Sequence, residues 1–176
     1  MTDVADVDDL LSEWFDWKPI SGRLKSVQRA VRKKELLVAE TDDSRVVGFI
    51  HYVLHEDIID GGPNAFISAF YVSEAERGKG VGTLLLDQAI TDSLARGAVG
   101  VETSTIHMRA RQLYERHHFK QTRGDIGEVF LELDIAEYLR VKKKGQICLK
   151  HCLKNCFPVK IRDCPKNTLA SRESYC

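Results

Sequence analysis

Val72-Ser73-Glu74-Ala75-Glu76-Arg77-Gly78-Lys79-Gly80-Val81-Gly82 is the stretch on which the fold of this 176-residue chain turns. Its three glycines follow an apolar run, Ala65 to Val72. They precede a long amphipathic run with Val81, Leu84, Leu85, Ala89, Ile90 and Leu94 on one side. The pattern reads strand, glycine loop, helix. A helix start offers unpaired backbone N–H groups and the positive end of the helix dipole. Glycine lets that backbone approach a phosphate with no Cβ in the way. The same glycines could equally serve only as a tight link between strand and helix, so their surroundings must decide.

Two phosphate-binding patterns fit the loop poorly. A Walker loop needs Ser or Thr after its Lys, but Lys79 is followed by Gly80. A dinucleotide fingerprint needs wider glycine spacing than Gly78-x-Gly80-x-Gly82, and it should open a parallel βαβ unit, whereas hairpins precede this loop.

Upstream, Leu36 to Glu40 and Arg45 to Leu54 are rich in strand-forming residues, and the polar Thr41 to Ser44 between them reads as a hairpin connection. A turn is expected at Gly61-Gly62-Pro63-Asn64. Before these strands, Val7, Leu10, Leu11, Trp14 and Phe15 fall at helical spacing behind a candidate N-cap, Asp6. Pro19 suits the start of a second helix, which carries Leu24, Val27 and Val31 and runs to Arg32-Lys33-Lys34. Downstream, Gly97 suits a helix end, and Val99, Val101 and Thr103 alternate as a short strand. Met108 to Arg116 is helical, and Phe119 to Thr122 with Glu128 to Leu133 flank Gly124-Asp125 as a closing hairpin. Hairpins combined with one strand-helix-strand crossover imply an α/β fold: a mixed, mostly antiparallel sheet with one parallel pair and flanking helices.

This order of elements and the loop together resemble the acetyl-CoA signature of the GNAT superfamily of N-acetyltransferases, whose loop follows Arg/Gln-x-x-Gly-x-Gly/Ala. Arg77, Gly80 and Gly82 match it position for position, and the resemblance spans roughly residues 4 to 134. It implies that the parallel pair is splayed, with the pantetheine arm of acetyl-CoA pairing to backbone at Phe70, Tyr71 and Val72. Arg77, Gly78, Lys79, Gly80, Val81, Gly82 and Thr83 would then hold the pyrophosphate. Backbone groups left bare between two strands need a partner, and an amide-bearing arm supplies one.

Acetyl transfer to an amine needs a neutral amine, donors facing the developing oxyanion, and a proton for the departing thiolate. Arg109-Ala110-Arg111-Gln112-Leu113-Tyr114-Glu115-Arg116 is similar to the family's second motif, which makes Tyr114 the expected general acid. For an ordinary tyrosine, packing against the helix face is the alternative role. A backbone N–H near Tyr71 or Val72 would meet the oxyanion. No acid stands on Ala65 to Val72, where many members of the family carry their base. Glu102 on the following strand is the catalytic candidate set against a solvated-charge reading, while His51, His55, Glu56 and Asp57 lie on an earlier strand. The sequence departs from the family in carrying His107 where the second motif often opens with Asn, and His118 where Gly commonly precedes the Phe. A helix-cap role is the expectation for His107.

Charge divides the chain. Residues 140–176 hold ten Lys and Arg against two acids, a net of +8, which leaves −8 for residues 1–139. The expected organisation is an acetyltransferase domain over residues 1–139 and a basic appendage over 140–176. All five cysteines fall in that appendage, so no disulfide framework holds the body. Cys148, Cys152 and Cys156 recur every four residues beside His151, with Cys164 further on. Structural zinc sites draw on paired ligands from separate turns, so no metal is expected. No apolar run reaches the roughly twenty residues of a membrane span, and Met1 to Leu10 is acidic, so neither membrane nor secretion is expected and the location is read as cytoplasmic. Trp14, Phe15 and Trp17 with Asp8, Asp9, Glu13, Asp16, Glu56, Asp57 and Asp60 would suit a cationic acceptor, a small amine or a peptide, if they form a rim and not core and solvated faces.

The expected function is therefore N-acetyltransfer from acetyl-CoA to a primary amine by direct attack on the thioester. The alternative is a non-catalytic acyl-CoA-binding regulatory module. A nucleic-acid partner recruited by the basic segment is the less favoured third reading, and a homodimer is compatible with all three.

Overall fold

Strand-forming residues open the first hairpin, β1 (Leu36–Thr41) and β2 (Val46–Asp57), and β3 (Gly62–Val72) adds to it antiparallel. The computed structural model describes residues 3–15, 22–124, 127–144 and 159–164. Around this meander run α1 (Asp3–Phe15), α2 (Arg23–Lys33), a 3₁₀ turn (Glu74–Glu76), α3 (Val81–Ala95), β4 (Gly100–Thr105) and α4 (Met108–Arg116). β5 (Phe119–Arg123), β6 (Val129–Leu133), α5 (Ile135–Lys143) and β7 (Val159–Asp163) follow. Among the described residues the sheet has seven strands in the order β5-β6-β4-β3-β2-β1-β7, all antiparallel neighbours except β3 and β4. This is the mixed, mostly antiparallel sheet with a parallel pair that the sequence implies.

Alternation along the strands gives the sheet two apolar faces. On one, Leu85, Leu86, Ala89 and Ile90 of α3 pack with Leu37, Ile50, Ile67 and Val101. On the other, Val4, Val7 and Leu10 of α1 and Val27 and Val31 of α2 cover Val38, Phe49 and Tyr71. Full burial of each such aliphatic side chain stabilises the fold by roughly 1.5–3 kcal/mol. Among the described residues no helix is long and apolar enough to cross a membrane.

Several boundaries differ from expectation. α1 begins at Asp3, so Asp6 lies inside the helix and does not cap it. α2 begins at Arg23 behind Gly22 (φ 92°), while Pro19 lies outside the described residues. The turn placed at Gly61 to Asn64 is displaced, because Gly62, Pro63 and Asn64 pair with Asp57, Glu56 and His55 and the reversal occupies residues 58–61. Pro63 is tolerated at the strand's start, where its missing N–H is not needed and its carbonyl accepts from Val99 N at 2.8 Å.

Two elements stand where none was expected. Asp134 caps α5, its side chain accepting from Glu137 N at 2.9 Å, and α5 buries Tyr138. β7 pairs antiparallel with β1 from Leu37↔Asp163 to Thr41↔Val159, and Cys164 behind it is buried with the second apolar cluster. The expected division between residues 139 and 140 thus falls inside α5, and the segment beyond it supplies an edge of the sheet. Cys148, Cys152, Cys156, Cys176 and His151 lie outside the described residues, and among the described ones no cluster of His, Cys, Asp and Glu could hold a metal.

Candidate active site

The parallel pair is short. β3 and β4 are in register only from Asn64↔Gly100 to Ile67↔Thr103, although β3 continues to Val72 and β4 to Thr105. Beyond Ile67, β4 pairs only on its β6 side and β3 only on its β2 side. The two strands therefore splay, with facing backbone edges that no strand among the described residues covers. The cause is local: the β2–β3 register slips between His51 and Tyr52, leaving Ser68 as an extra residue on β3. Such a bulge bends its strand and increases the local twist. Thr103 closes the fork, its Oγ1 donating to the Ile67 carbonyl at 3.2 Å.

The glycine loop stands at the far end of the bare β3 edge. Gly78 (φ 77°) and Gly80 (φ 88°) both have left-handed backbone, which a Cβ would strain, and Gly80 is the N-cap residue of α3 with no side-chain cap. Lys79 Nζ reaches Glu76 Oε2 at 3.1 Å, and Arg45 approaches Glu76 Oε1 at 3.5 Å, so a buried carboxylate anchors the loop from beneath. Arg77 folds back across the strand end. Its Nε donates to the Val72 carbonyl at 2.9 Å, and its guanidinium lies 5.2 Å from the Tyr71 ring centre. Val81 is buried under the loop, and Thr83 follows on the first turn of α3.

Gly82 sits where three elements meet. A Cβ there would meet Leu113 of α4 and Phe70 of β3 at 3.4 Å, ordinary van der Waals contact, so the helix start lies directly against both walls. Tyr71 points to the other face, where it is buried against Trp14 and donates to Glu13 Oε1 at 2.9 Å. What Tyr71 offers the cleft is backbone, while the Val72 side chain lies with Phe70 on the Gly82 side.

Tyr114 projects from α4 into the main core, 3% exposed, with its ring 6.3 Å from Phe70 and 5.3 Å from Phe119. Burial pushes its hydroxyl up to about 12, opposed in part by Thr103 at the fork. The phenol therefore stays protonated at neutral pH. His107 is the N-cap residue of α4, but its side chain makes no capping bond; its backbone N–H donates to Thr105 Oγ1 at 3.0 Å. The expected cap role of His107 is positional only.

Glu102 lies apart from this group. Asn64 Nδ2, which donates to Asp60 Oδ2 at 2.7 Å, lies 3.5 Å from its carboxylate, and the opposite residue on β6 is Glu132. With Asp57 and Asp60 these acids line a cavity of about 330 Å³ beside the β2–β3 turn. A larger cavity, about 640 Å³, lies between α1 and the β1–β2 hairpin and is lined by neither α3 nor α4.

One pair escaped the sequence reading. His51 Nδ1 stands 2.6 Å from Ser68 Oγ, the hydroxyl of the bulge residue. Burial pushes the His51 imidazole below its ordinary value, helped by the positive charge of Lys33. A signal was present: the residues that pack with the main core, Ala65 and Ile67, resume at the partly buried Phe70 and Val72, one residue out of phase across Ser68-Ala69.

The acetyltransferase (GNAT) family model matches residues 5–119 of the chain. Among solved structures, the NatC complex bound to Gag peptide and CoA is similar at 18% identity, covering 74% of this chain and 89% of that one, with a TM-score of 0.62. AAC(6')-Iy in complex with the bisubstrate analogue CoA-S-monomethyl-acetylneamine is similar at 17% identity over 70% and 88% of the two chains, TM-score 0.61. Arabidopsis thaliana NAA60 with a bisubstrate analogue is similar at 18% identity over 74% and 90%, TM-score 0.60. At these identities the likeness is one of fold. No curated protein matches the chain by sequence.

Proposed function

Because the chain belongs to the acetyltransferase (GNAT) family, we propose that it transfers an acetyl group from acetyl-CoA to a primary amine of a small molecule or peptide by direct attack on the thioester. The observation that carries this reading is the bare β3 edge from Ser68 to Val72, which ends at the open N-terminus of α3. A chain of amide groups ending in a pyrophosphate matches that sequence of needs: backbone partners first, N–H donors and a helix dipole after them.

The residues present fit such a cosubstrate. Phe70, Tyr71 and Val72 would pair with the arm, and the backbone of Gly78 to Thr83 would hold the phosphates. Space is open where a Gly78 side chain would stand, and Gly82 leaves room between Phe70 and Leu113. Lys79 and Arg77 add positive charge, although each already has a protein partner. Acetyl-CoA supplies an activated acyl group and a good leaving thiolate. Tyr114 would donate a hydrogen bond to the thiolate from a hydroxyl that holds its proton at neutral pH.

The similar structures with a bound peptide or a bisubstrate analogue support an amine acceptor of either class. Acids at Asp57, Asp60, Glu102 and Glu132 favour a cationic one.

Calorimetric titration of acetyl-CoA into the full chain tests the reading, with ATP and NAD as controls and a Gly82→Asp variant that sets a carboxylate in the phosphate cradle. Selective binding lost in Gly82→Asp is the expected result. A folded chain indifferent to acetyl-CoA refutes the reading, and binding without thiol release over a broad amine panel would leave a regulatory acyl-CoA-binding module.

A further inference from the structure

Resting on that acetyltransferase reading, we propose that Ser68 and His51 are the proton-accepting pair of the site, Ser68 touching the acceptor amine and His51 acting through it. The position of the pair is the first ground. Ser68 is the bulge residue at which β3 leaves β4, one residue beyond the last parallel pair, Ile67↔Thr103, so its backbone stands at the mouth of the splay while its hydroxyl turns toward β2. Opposite it on β2, His51 pairs with Ala69, and the bulge sets Ser68 Oγ 2.6 Å from His51 Nδ1. The same hydroxyl is 3.4 Å from the His51 carbonyl, a longer and weaker alternative.

Exposure is the second ground. Ser68 is exposed, whereas His51 is partly covered. An amine can therefore reach the hydroxyl, and solvent reaches the imidazole less readily. The side chains around His51 favour its neutral form: Leu36 of β1 lies across from it, and the charge acting on it is the Lys33 ammonium of α2, itself 3.9 Å from Glu35. Glu102, the acid that would compete for the role, stands across from Phe66 and lines the cavity beside the β2–β3 turn with Asp57 and Asp60.

The step balances as follows. The acceptor ammonium gives one proton to Ser68 Oγ as Oγ passes its own to His51 Nδ1, leaving a neutral amine and an imidazolium. The C–N bond to the acetyl carbon then forms and the C–S bond breaks. The second nitrogen proton ends on the thiolate, and the imidazolium returns its proton to solvent.

The test uses the full chain with ¹³C-labelled histidine rings, six in all, and His51→Gln to identify the His51 signal. Acetyl-CoA and free CoA are titrated in separately. The expected result is a His51 signal that responds to acetyl-CoA differently from CoA, and a ring pKa that rises toward its ordinary value in Ser68→Ala. A hydrogen bond that only pins the bulge would respond equally to both ligands. If acetyl-CoA binds and His51 fails to distinguish it from CoA, the pair is overturned while the acetyltransferase reading stands. If acetyl-CoA does not bind, the reading itself falls and takes the pair with it.

Discussion

The ring of Phe70, on the splayed end of β3, lies 6.3 Å from that of Tyr114 on α4, so the wall of the cleft and the candidate acid are one packed unit. Tyr114→Phe keeps this packing and removes only the hydroxyl, while Thr103 retains the Ile67 carbonyl as acceptor. A phenol near 12 sits well above an ordinary thiol at about 8.5, so full proton transfer is uphill and the hydroxyl acts mainly as a hydrogen-bond donor. Loss of a hydrogen bond to a charged group, about 1.5–3 kcal/mol, corresponds to a fall in kcat of roughly 10- to 150-fold. Steady-state kinetics should show that fall with the KM for acetyl-CoA nearly unchanged, and the melting temperature should move by only a few degrees.

His118 has left-handed backbone (φ 69°), pinned by its N–H to the Glu115 carbonyl at 3.0 Å and by its carbonyl to Asp134 N at 2.9 Å. The position calls for glycine, and histidine there is strained. His118→Gly should raise stability by about 1 kcal/mol, read as a shift in the denaturant midpoint at constant slope. An unchanged or lower midpoint would mean that the strain is relieved elsewhere.

His117 is buried, with Nδ1 2.9 Å from the Leu113 carbonyl. Burial holds its pKa below the ordinary value, outweighing the opposing pull of the Leu113 carbonyl and Asp87; Arg116 and His118 push it further down. The unfolded chain takes up this proton near pH 6.5 and the folded chain only at lower pH. Its stabilising contribution is therefore complete above about pH 6.5 and shrinks as pH falls toward the folded pKa. Melting temperatures measured from about pH 7 to about 5 should decline less steeply in His117→Gln than in the wild type. Parallel curves would show that His117 ionises alike in both states.

Ending the chain after residue 144 removes β7 but leaves α5 whole. It takes away the ion pair of Arg162 with Glu40, the burial of Cys164, and the cover over the edge of β1. The shortened chain is expected to bind acetyl-CoA still, to melt at lower temperature, and to self-associate with concentration in light scattering, because a bare strand edge invites pairing. Ending it after residue 139 should cost more. That cut passes through α5 and removes Lys142, whose Nζ bonds Thr91 at 2.7 Å and Tyr138 at 3.0 Å.

Most of the sheet was legible because its signals are local. The strand-forming composition of residues 36–40 and 45–54, the glycine spacing after Val72 and the helical pattern of 108–116 each lie within one short window. Elements that owe their place to distant partners were not. α5 depends on Tyr138 burying itself, its hydroxyl 2.5 Å from Asp87. β7, Val-Lys-Ile-Arg-Asp, shows only a weak alternation in a basic context and becomes a strand through its pairing with β1. The candidate site divides in the same way. Arg77 to Thr83 are contiguous and could be read, whereas His51 and Ser68 are 17 residues apart and meet only through the register slip that the bulge creates.

β7 also gives the molecule a history. Glu40 and Arg162 are separated by 122 residues, so on the ribosome the outer edge of β1 waits for that much further synthesis. At roughly 5–20 residues per second that delay is about 6–24 s, long after the glycine loop and its helix have emerged. The cleft between β3 and β4 can thus assemble during synthesis on a sheet still open at one side, and the nascent protein would pass through a stage in which that cleft is formed before its aggregation-prone border is sealed.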